Sequence, residues 1–239
     1  FSRDLATALA HFTAEVGHIR IAAIDNGHGP YDIPVDLVID QYNPRSWHDT
    51  VVHICTRASE ARNPTVVVLQ HEFGLDPDAQ GNDGQGTNFV QMTQAFRDRG
   101  LDTLVYLHTV LDEPDAHQRQ IIQDLARYSD GLIVTTESAI QILESETYGI
   151  AHIKLKHIDH GIRMQNPSQF NRLTIKEEYG LETRFLITTL GLLSPDKGVP
   201  YGIRAYGRFL QESCTEAQRK QIVYLIAGQA HPEFVKAEG

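Results

Sequence analysis

The chain is poor in cysteine and in positive charge, and it contains no long apolar run. Its two cysteines, Cys55 and Cys214, form no C-x-x-C pattern, which is typical of reduced core thiols in a cytoplasmic protein. Lysine and arginine number 21 against 31 acidic residues, a net charge of -10, which argues against nucleic acid as a partner. No apolar run approaches the roughly 20 residues that cross a bilayer, and no signal-peptide pattern is present. We therefore expect a cytoplasmic protein without a transmembrane segment.

The spacing of apolar residues predicts helices that alternate with strands. Helices are predicted at 2–14, 46–61, 88–99, 115–128, 137–148, 173–179 and 199–210, and strands at 19–24, 35–39, 65–70, 103–107, 131–135, 153–158, 185–190 and 222–227. The strands are continuously apolar, as are strands that are covered on both faces. Strands separated by helices of this length predict an α/β fold with a parallel sheet.

The composition changes after Gly161, where apolar periodicity is lost. We therefore place a domain boundary there, with one domain at 1–162 and a second at 163–239. The helix predicted at 2–14 is capped by Ser2 at the very start of the chain, so we expect the first domain to lack its first strand. Strand–helix–strand is too small for an α/β domain, so we expect the second domain to be partial.

The segment Gly-Leu-Leu-Ser-Pro-Asp-Lys-Gly at 191–198 lies between a predicted strand and a predicted helix. A helix N-terminus offers unpaired amides and about half a positive charge. Lys197 adds a cation at the same point, so the segment predicts a phosphate or diphosphate site. The alternative is a plain surface lysine, because the same residues also favour a helix start.

Polar residues follow three other predicted strands, at 70–74, 107–110 and 158–161. Ligands of open α/β sheets bind beyond the carboxyl ends of the strands. These segments are therefore candidate site residues. His108 either contacts a ligand there or satisfies carbonyl groups of its own loop.

The histidines of these segments do not predict a metal site. Adjacent residues on a strand point to opposite faces, so we expect at most one of His71 and Glu72 to face a ligand. Position 75 is Leu75, so the H-E-x-x-H pattern of zinc proteases is absent. The spacing of His157 and His160 suits neither one strand face nor a helix pair, so zinc is not expected there.

Five segments resemble, in order and with comparable spacing, a bacterial branch of the family 4 retaining glycosyltransferases. They are Gln-His-Glu-Phe-Gly at 70–74, Leu-His-Thr-Val-Leu at 107–111, Asp-His-Gly-Ile at 159–162, the segment 191–198, and Gly-Gln-Ala-His-Pro at 228–232. The resemblance implies the GT-B fold, in which two Rossmann-like domains face a cleft. It also implies that 1–162 is the acceptor-side domain and 163–239 the first part of the nucleotide-sugar domain.

The resemblance further implies a reaction. A hexosyl group, mannosyl or glucosyl, would pass from a nucleotide-diphosphate sugar to a carbohydrate, lipid or small-molecule acceptor with retention of configuration. No cofactor or metal is implied, because the nucleotide sugar is a substrate and a lysine with a helix N-terminus takes the metal's place. The implied site residues are His108 and Lys197 as catalytic groups, Gly191, Ser194 and Lys197 at the donor diphosphate, and His71 and Glu72 on the acceptor side.

The sequence also departs from the family pattern. Leu192 stands where arginine is frequent, Asp159 replaces a proline, and the acidic E-x7-E segment would lie beyond Gly239. Two other hypotheses stay open: a sugar-nucleotide epimerase-like enzyme, and a non-catalytic GT-B-like binding module or inactive fragment. We expect the 239 residues alone to transfer no sugar and to self-associate through unpaired strand edges and exposed apolar surface.

Overall fold

Helices and strands are interspersed along the described residues, and the strands pair in parallel. The computed structural model describes residues 2–11, 17–25, 31, 33–77, 86–162, 164, 166–194 and 197–230. The chain divides into two compact units, Phe1–Arg163 and Met164–Gly239. Their border lies one residue beyond the boundary placed from composition.

The first unit contains five α-helices and six strands within its described residues. The helices are α1 (Ser2–Ala10), α2 (Pro44–Glu60), α3 (Thr87–Asp98), α4 (Ala116–Tyr128) and α5 (Glu137–Glu144). The strands are β1 (Ala22–Asp25), β2 (Leu37–Asp40), β3 (Val66–His71), β4 (Asp102–Leu107), β5 (Gly131–Val134) and β6 (Leu155–His157).

The strands of the first unit form two parallel sheets, where the sequence predicted one. β1 pairs with β2, and the larger sheet has the order β3-β4-β5-β6. Parallel strands require a crossover between them, and in the larger sheet α3, α4 and α5 supply it. The carboxyl ends of β3, β4, β5 and β6 therefore lie at one edge of the larger sheet.

The core of the first unit lies between the larger sheet and helices α3 and α4. Phe96, Ile122 and Leu125 on the helices, and Val105 and Leu132 on the strands, have no exposed surface. The buried positions of α4 recur with helical spacing, and a capping box at its start satisfies end amides. This packing makes the larger sheet a rigid support for the loops at its carboxyl edge.

The second unit is a smaller parallel arrangement. It comprises α6 (Arg172–Glu178), β7 (Phe185–Leu190), α7 (Val199–Ser213), α8 (Glu216–Gln221) and β8 (Ile222–Ala227). β7 pairs in parallel with β8 along its whole length. The sequence did not predict α8, which a capping box between Thr215 and Gln218 starts. None of the described residues of this unit is fully buried.

Helix length and polarity also bear on membrane insertion. No helix among the described residues combines the length and the apolar character that crossing a membrane requires.

Candidate functional site

Polar groups gather at the carboxyl ends of parallel strands in both units. In the first unit Gln70 lies near the end of β3, and Glu72, His108 and Thr109 follow β3 and β4. We call these four residues the strand-end cluster. In the second unit the loops after β7 and β8, residues 191–198 and 228–230, are hydrogen-bonded to each other, and we call them the paired loops.

The side chain of His108 contacts one residue of β3 and one residue of β4. The β3–β4 register pairs Gln70 with Tyr106, and His108, two residues further, lies on the same face. Its Nε2 atom lies 2.9 Å from Oε1 of Gln70, at hydrogen-bond distance, and its ring centroid lies 4.9 Å from that of Tyr106. Its backbone amide donates to the carbonyl of His71 over 3.1 Å. The half-buried imidazole therefore has a fixed orientation.

Glu72 joins the two loops of the strand-end cluster. Its Oε2 atom accepts a 2.7 Å hydrogen bond from the Thr109 hydroxyl. Its Oε1 atom accepts from the backbone amide of Phe73 over 3.1 Å and caps a short 3-10 helix, Phe73–Leu75. Both carboxylate oxygens are thus engaged in the loop structure. The carboxylate brings a negative charge close to His108.

His71 points away from the strand-end cluster into the core. Its side chain has no exposed surface and packs edge-on against Phe73 and Phe89, with centroid distances of 5.0 and 5.3 Å. Neither ring nitrogen has a hydrogen-bond partner among the described residues. Of the two residues expected on the acceptor side, the structure therefore brings only Glu72 into the cluster.

Burial lowers the pKa of both histidines at this edge of the sheet. It lowers the pKa of His71 to about 4, and the nearby His108 adds to that effect. For His108, burial is again the largest cause of a lowered pKa; Glu72 opposes it and His160 reinforces it. Burial disfavours the charged form of an imidazole, so His108 is a neutral hydrogen-bonding group near neutral pH.

Sequence reasoning missed two residues that organise this edge. Gln70 belonged to a polar segment and to a family motif without a role of its own, and its pairing with His108 depends on strand register. Asp76 is buried and accepts from Asn88 Nδ2 over 2.7 Å and from the Phe89 amide over 3.0 Å. It thereby fixes the start of α3 across the loop. A lone acid twelve residues before its partner gives no local sequence signal.

In the second unit the paired loops meet through backbone contacts. The Gly191 amide donates to the Ala227 carbonyl over 3.0 Å, and the Leu193 amide donates to the Gln229 carbonyl over 2.7 Å. A Cβ atom at Gly228 would overlap the carbonyl oxygen of Gly191, so only glycine permits this approach. The structure thus brings together the segments at 191–198 and 228–230, which are distant in sequence.

Lys197 lies just before α7. Its backbone amide donates to the Ser194 carbonyl over 3.1 Å, and Gly198 is the N-cap residue, with φ of 67°. The lysine side chain is exposed. The Gly191 amide already has a backbone partner, so Gly191 would shape a diphosphate site without donating to it. Lys197 and the start of α7 remain the positive groups of this loop.

Two parts of the predicted site lie outside the described residues. These are positions 195–196 of the first paired loop and the His-Pro pair at 231–232. Among the residues that the structure does describe, no group of three or more His, Cys, Asp or Glu side chains could hold a metal ion.

Comparison with known proteins gives a match in fold and none in sequence. No known protein family and no curated protein matches the sequence. The structure of Anabaena HepE in complex with UDP-glucose matches with a TM-score of 0.57 and 14% identity over 92% of this chain and 64% of that chain. The structure of HepE with UDP and glucose gives 0.58 and 16% over the same shares.

This chain therefore spans less than two thirds of the HepE chain. At these identities the likeness concerns the fold. The predicted fold class, α/β with Rossmann-like parallel sheets in a GT-B-like order of elements, is confirmed.

Proposed function

We propose that the chain belongs to a glycosyltransferase that moves a sugar from a nucleotide-diphosphate sugar to an acceptor with retention of configuration. The observation that carries the proposal is the close contact of the two paired loops beside Lys197 and the start of α7. The HepE structures of the same fold, in complex with UDP-glucose and with UDP and glucose, support it. We infer a uridine diphosphate sugar as the donor.

Lys197 would stabilise the leaving diphosphate. Cleavage of the anomeric C–O bond leaves its electron pair, and hence negative charge, on the diphosphate oxygen. Fixed positive groups at that position lower the barrier, because they need no rearrangement as the charge develops. Lys197 and the partial positive charge of the α7 N-terminus are such groups.

His108 would bind the sugar of the donor. A neutral imidazole offers one donor and one acceptor nitrogen to hydroxyl groups. The acceptor oxygen would attack from the same face that the diphosphate leaves, and its proton would pass to the departing diphosphate. Retention then requires no separate protein base. The acceptor is a carbohydrate, lipid or small molecule.

The Lys197→Ala variant of the full-length protein tests the proposal. We expect turnover with UDP-glucose to fall about 30- to 1000-fold, because one charge-assisted contact contributes roughly 2–4 kcal/mol in the transition state. UDP affinity, measured by calorimetry, should also weaken. Lys220→Ala is the matched control, since Lys220 is an exposed lysine of the same unit that pairs with Glu216. Unchanged turnover and UDP affinity in Lys197→Ala would remove this residue from the site.

A panel of nucleotide sugars tests the reaction class. We expect transfer or slow hydrolysis of a uridine diphosphate sugar with the α-configuration retained in the product. Tight binding of the same compounds without transfer or hydrolysis would instead indicate a binding module.

A further inference from the structure

The hydrogen bond between Gln70 and His108 has a chemical consequence for the histidine. We propose that Gln70 is a positioning residue that fixes the tautomer of His108 for sugar binding. This inference rests on the proposed function of His108. It concerns a residue that belongs to one of the sequence motifs but to which neither that motif nor the proposed reaction gives a role.

The atoms of the contact determine the tautomer. Gln70 meets Nε2 of His108 through its Oε1 atom at 2.9 Å. A carbonyl oxygen only accepts, so Nε2 carries the hydrogen, and the lone pair of the neutral ring lies on Nδ1. A lone pair on Nδ1 accepts from a sugar hydroxyl, whereas the other tautomer would present an N–H there. With its Oε1 atom toward the ring, Gln70 keeps the hydrogen on Nε2, whereas its amide nitrogen in that place would keep the hydrogen on Nδ1.

The surrounding structure makes the contact a fixed one. Gln70 and Tyr106 are register partners in the β3–β4 ladder, so their spacing is set by backbone hydrogen bonds. The Tyr106 ring lies against His108 at 35° and limits its rotation. Glu72, the other acceptor nearby, uses its two oxygens on Thr109 and Phe73. Gln70 is therefore the group that sets the Nε2 proton.

A neutral partner suits this role better than a carboxylate. The titratable groups that bear on His108 include Glu72 beside it, His160 after β6, His71 behind it and the amino terminus of the chain. Burial lowers the pKa of His108, and Glu72 alone only partly opposes this. A second carboxylate, at position 70, would favour the imidazolium form, which has no lone pair on Nδ1.

Imidazole ¹⁵N NMR on the full-length protein tests the tautomer directly. We expect a protonated Nε2 and an unprotonated Nδ1 for His108, assigned by the loss of its signals in His108→Gln. In Gln70→Met, which has similar length and no amide oxygen, we expect a mixture of both tautomers. Gln94→Met, at an exposed position of α3, is the matched control and should leave the signals unchanged.

Donor kinetics separate a positioning role from a structural one. In Gln70→Met we expect kcat/KM for the uridine diphosphate sugar to fall about 3- to 10-fold, the effect of one neutral hydrogen bond. UDP lacks the sugar, so its Kd should not change. In Gln70→Glu we expect activity to be low near neutral pH and to recover at alkaline pH, where the imidazolium loses its proton. The Met variant should show no such recovery.

Three results would overturn the role of Gln70. One is a protonated Nδ1 in the wild type, another is a wild-type tautomer that persists in Gln70→Met, and the third is an equal loss of UDP and UDP-sugar affinity in both variants. The NMR result does not depend on turnover. A wild-type protein that neither binds nor transfers a sugar would overturn the proposed function, while the spectra would still decide whether Gln70 sets the tautomer.

Discussion

At the scale of single residues, His71 should make folding stability depend on pH. Its pKa is lowered to about 4 in the folded protein, against 6.5 in an unfolded chain. Above pH 6.5 neither state binds this proton, and stability is unaffected. As the pH falls from 6.5 to 4, the unfolded state binds the proton first, so the free energy of unfolding falls by about 3 kcal/mol from this group.

Urea unfolding between pH 7 and pH 4 measures this effect. We expect His71→Met to show a shallower loss of stability than the wild type over that window, because the buried imidazole is gone. His53→Met, at an exposed position of α2, controls for the loss of a histidine elsewhere. Parallel stability curves for the wild type and His71→Met would contradict the prediction.

The residues that could be predicted from the sequence are those in local patterns. His108 and Lys197 stand at strand and helix ends that apolar periodicity locates, and the structure places both there. The sequence also indicated that His71 and Glu72 point to different faces. It could not show that Gln70 meets His108, because that contact depends on the pairing of β3 with β4, whose register no local pattern specifies.

At the scale of elements, the start of α3 depends on Asp76. Its carboxylate accepts from Asn88 Nδ2 and from the Phe89 amide in a buried setting. Asp76→Ala would leave both donors unpaired, and each costs roughly 1–3 kcal/mol. We therefore expect a loss of about 2–6 kcal/mol in the free energy of unfolding, measured by chemical denaturation. Asp49→Ala, an exposed position on α2, is the control, and a similar small loss in both variants would contradict the prediction.

The paired loops give a second prediction at this scale. Gly228→Ala would place a Cβ atom onto the Gly191 carbonyl oxygen, so the loops must separate and break the Leu193–Gln229 hydrogen bond. We expect UDP affinity to fall at least about 10-fold, the effect of roughly 1.4 kcal/mol. Gly207→Ala is the control, because a Cβ there meets no atom within 4 Å. Unchanged UDP affinity in Gly228→Ala would show that the contact between these loops is not needed for nucleotide binding.

The order and type of the elements could be predicted, and their ends could not. The predicted helix at 137–148 ends at Glu144 in the structure, where Ser145 takes an extended conformation. The single predicted parallel sheet is two sheets among the described residues of the first unit. Such features depend on capping and on tertiary pairing, which override apolar periodicity.

At the scale of the whole molecule, we predict self-association through exposed apolar side chains. Phe185 is 64% exposed, and Ile187, on the same face of β7, is 37% exposed. We expect light scattering to give an average mass that rises with protein concentration, and a double variant, Phe185→Ser with Ile187→Thr, to lower it. Val66→Thr, at an exposed position of β3 in the first unit, is the control. A constant monomer mass for the wild type would contradict the prediction.

The two units should also differ in their local stability. The fully buried apolar side chains among the described residues, such as Val105 and Leu107 of β4, all lie in the first unit. No described residue of β7 or β8 is fully buried. Less buried apolar surface therefore stabilises that pair of strands, and each Å² of such surface contributes about 25 cal/mol. We expect native-state hydrogen exchange to show β4 amides opening only with global unfolding. The β7 and β8 amides should exchange by local opening. The free energy of that opening should be lower than the free energy of global unfolding by several kcal/mol, roughly the contribution of two buried apolar side chains. Equal protection of β4 and β7 would mean that the two units unfold as one cooperative structure.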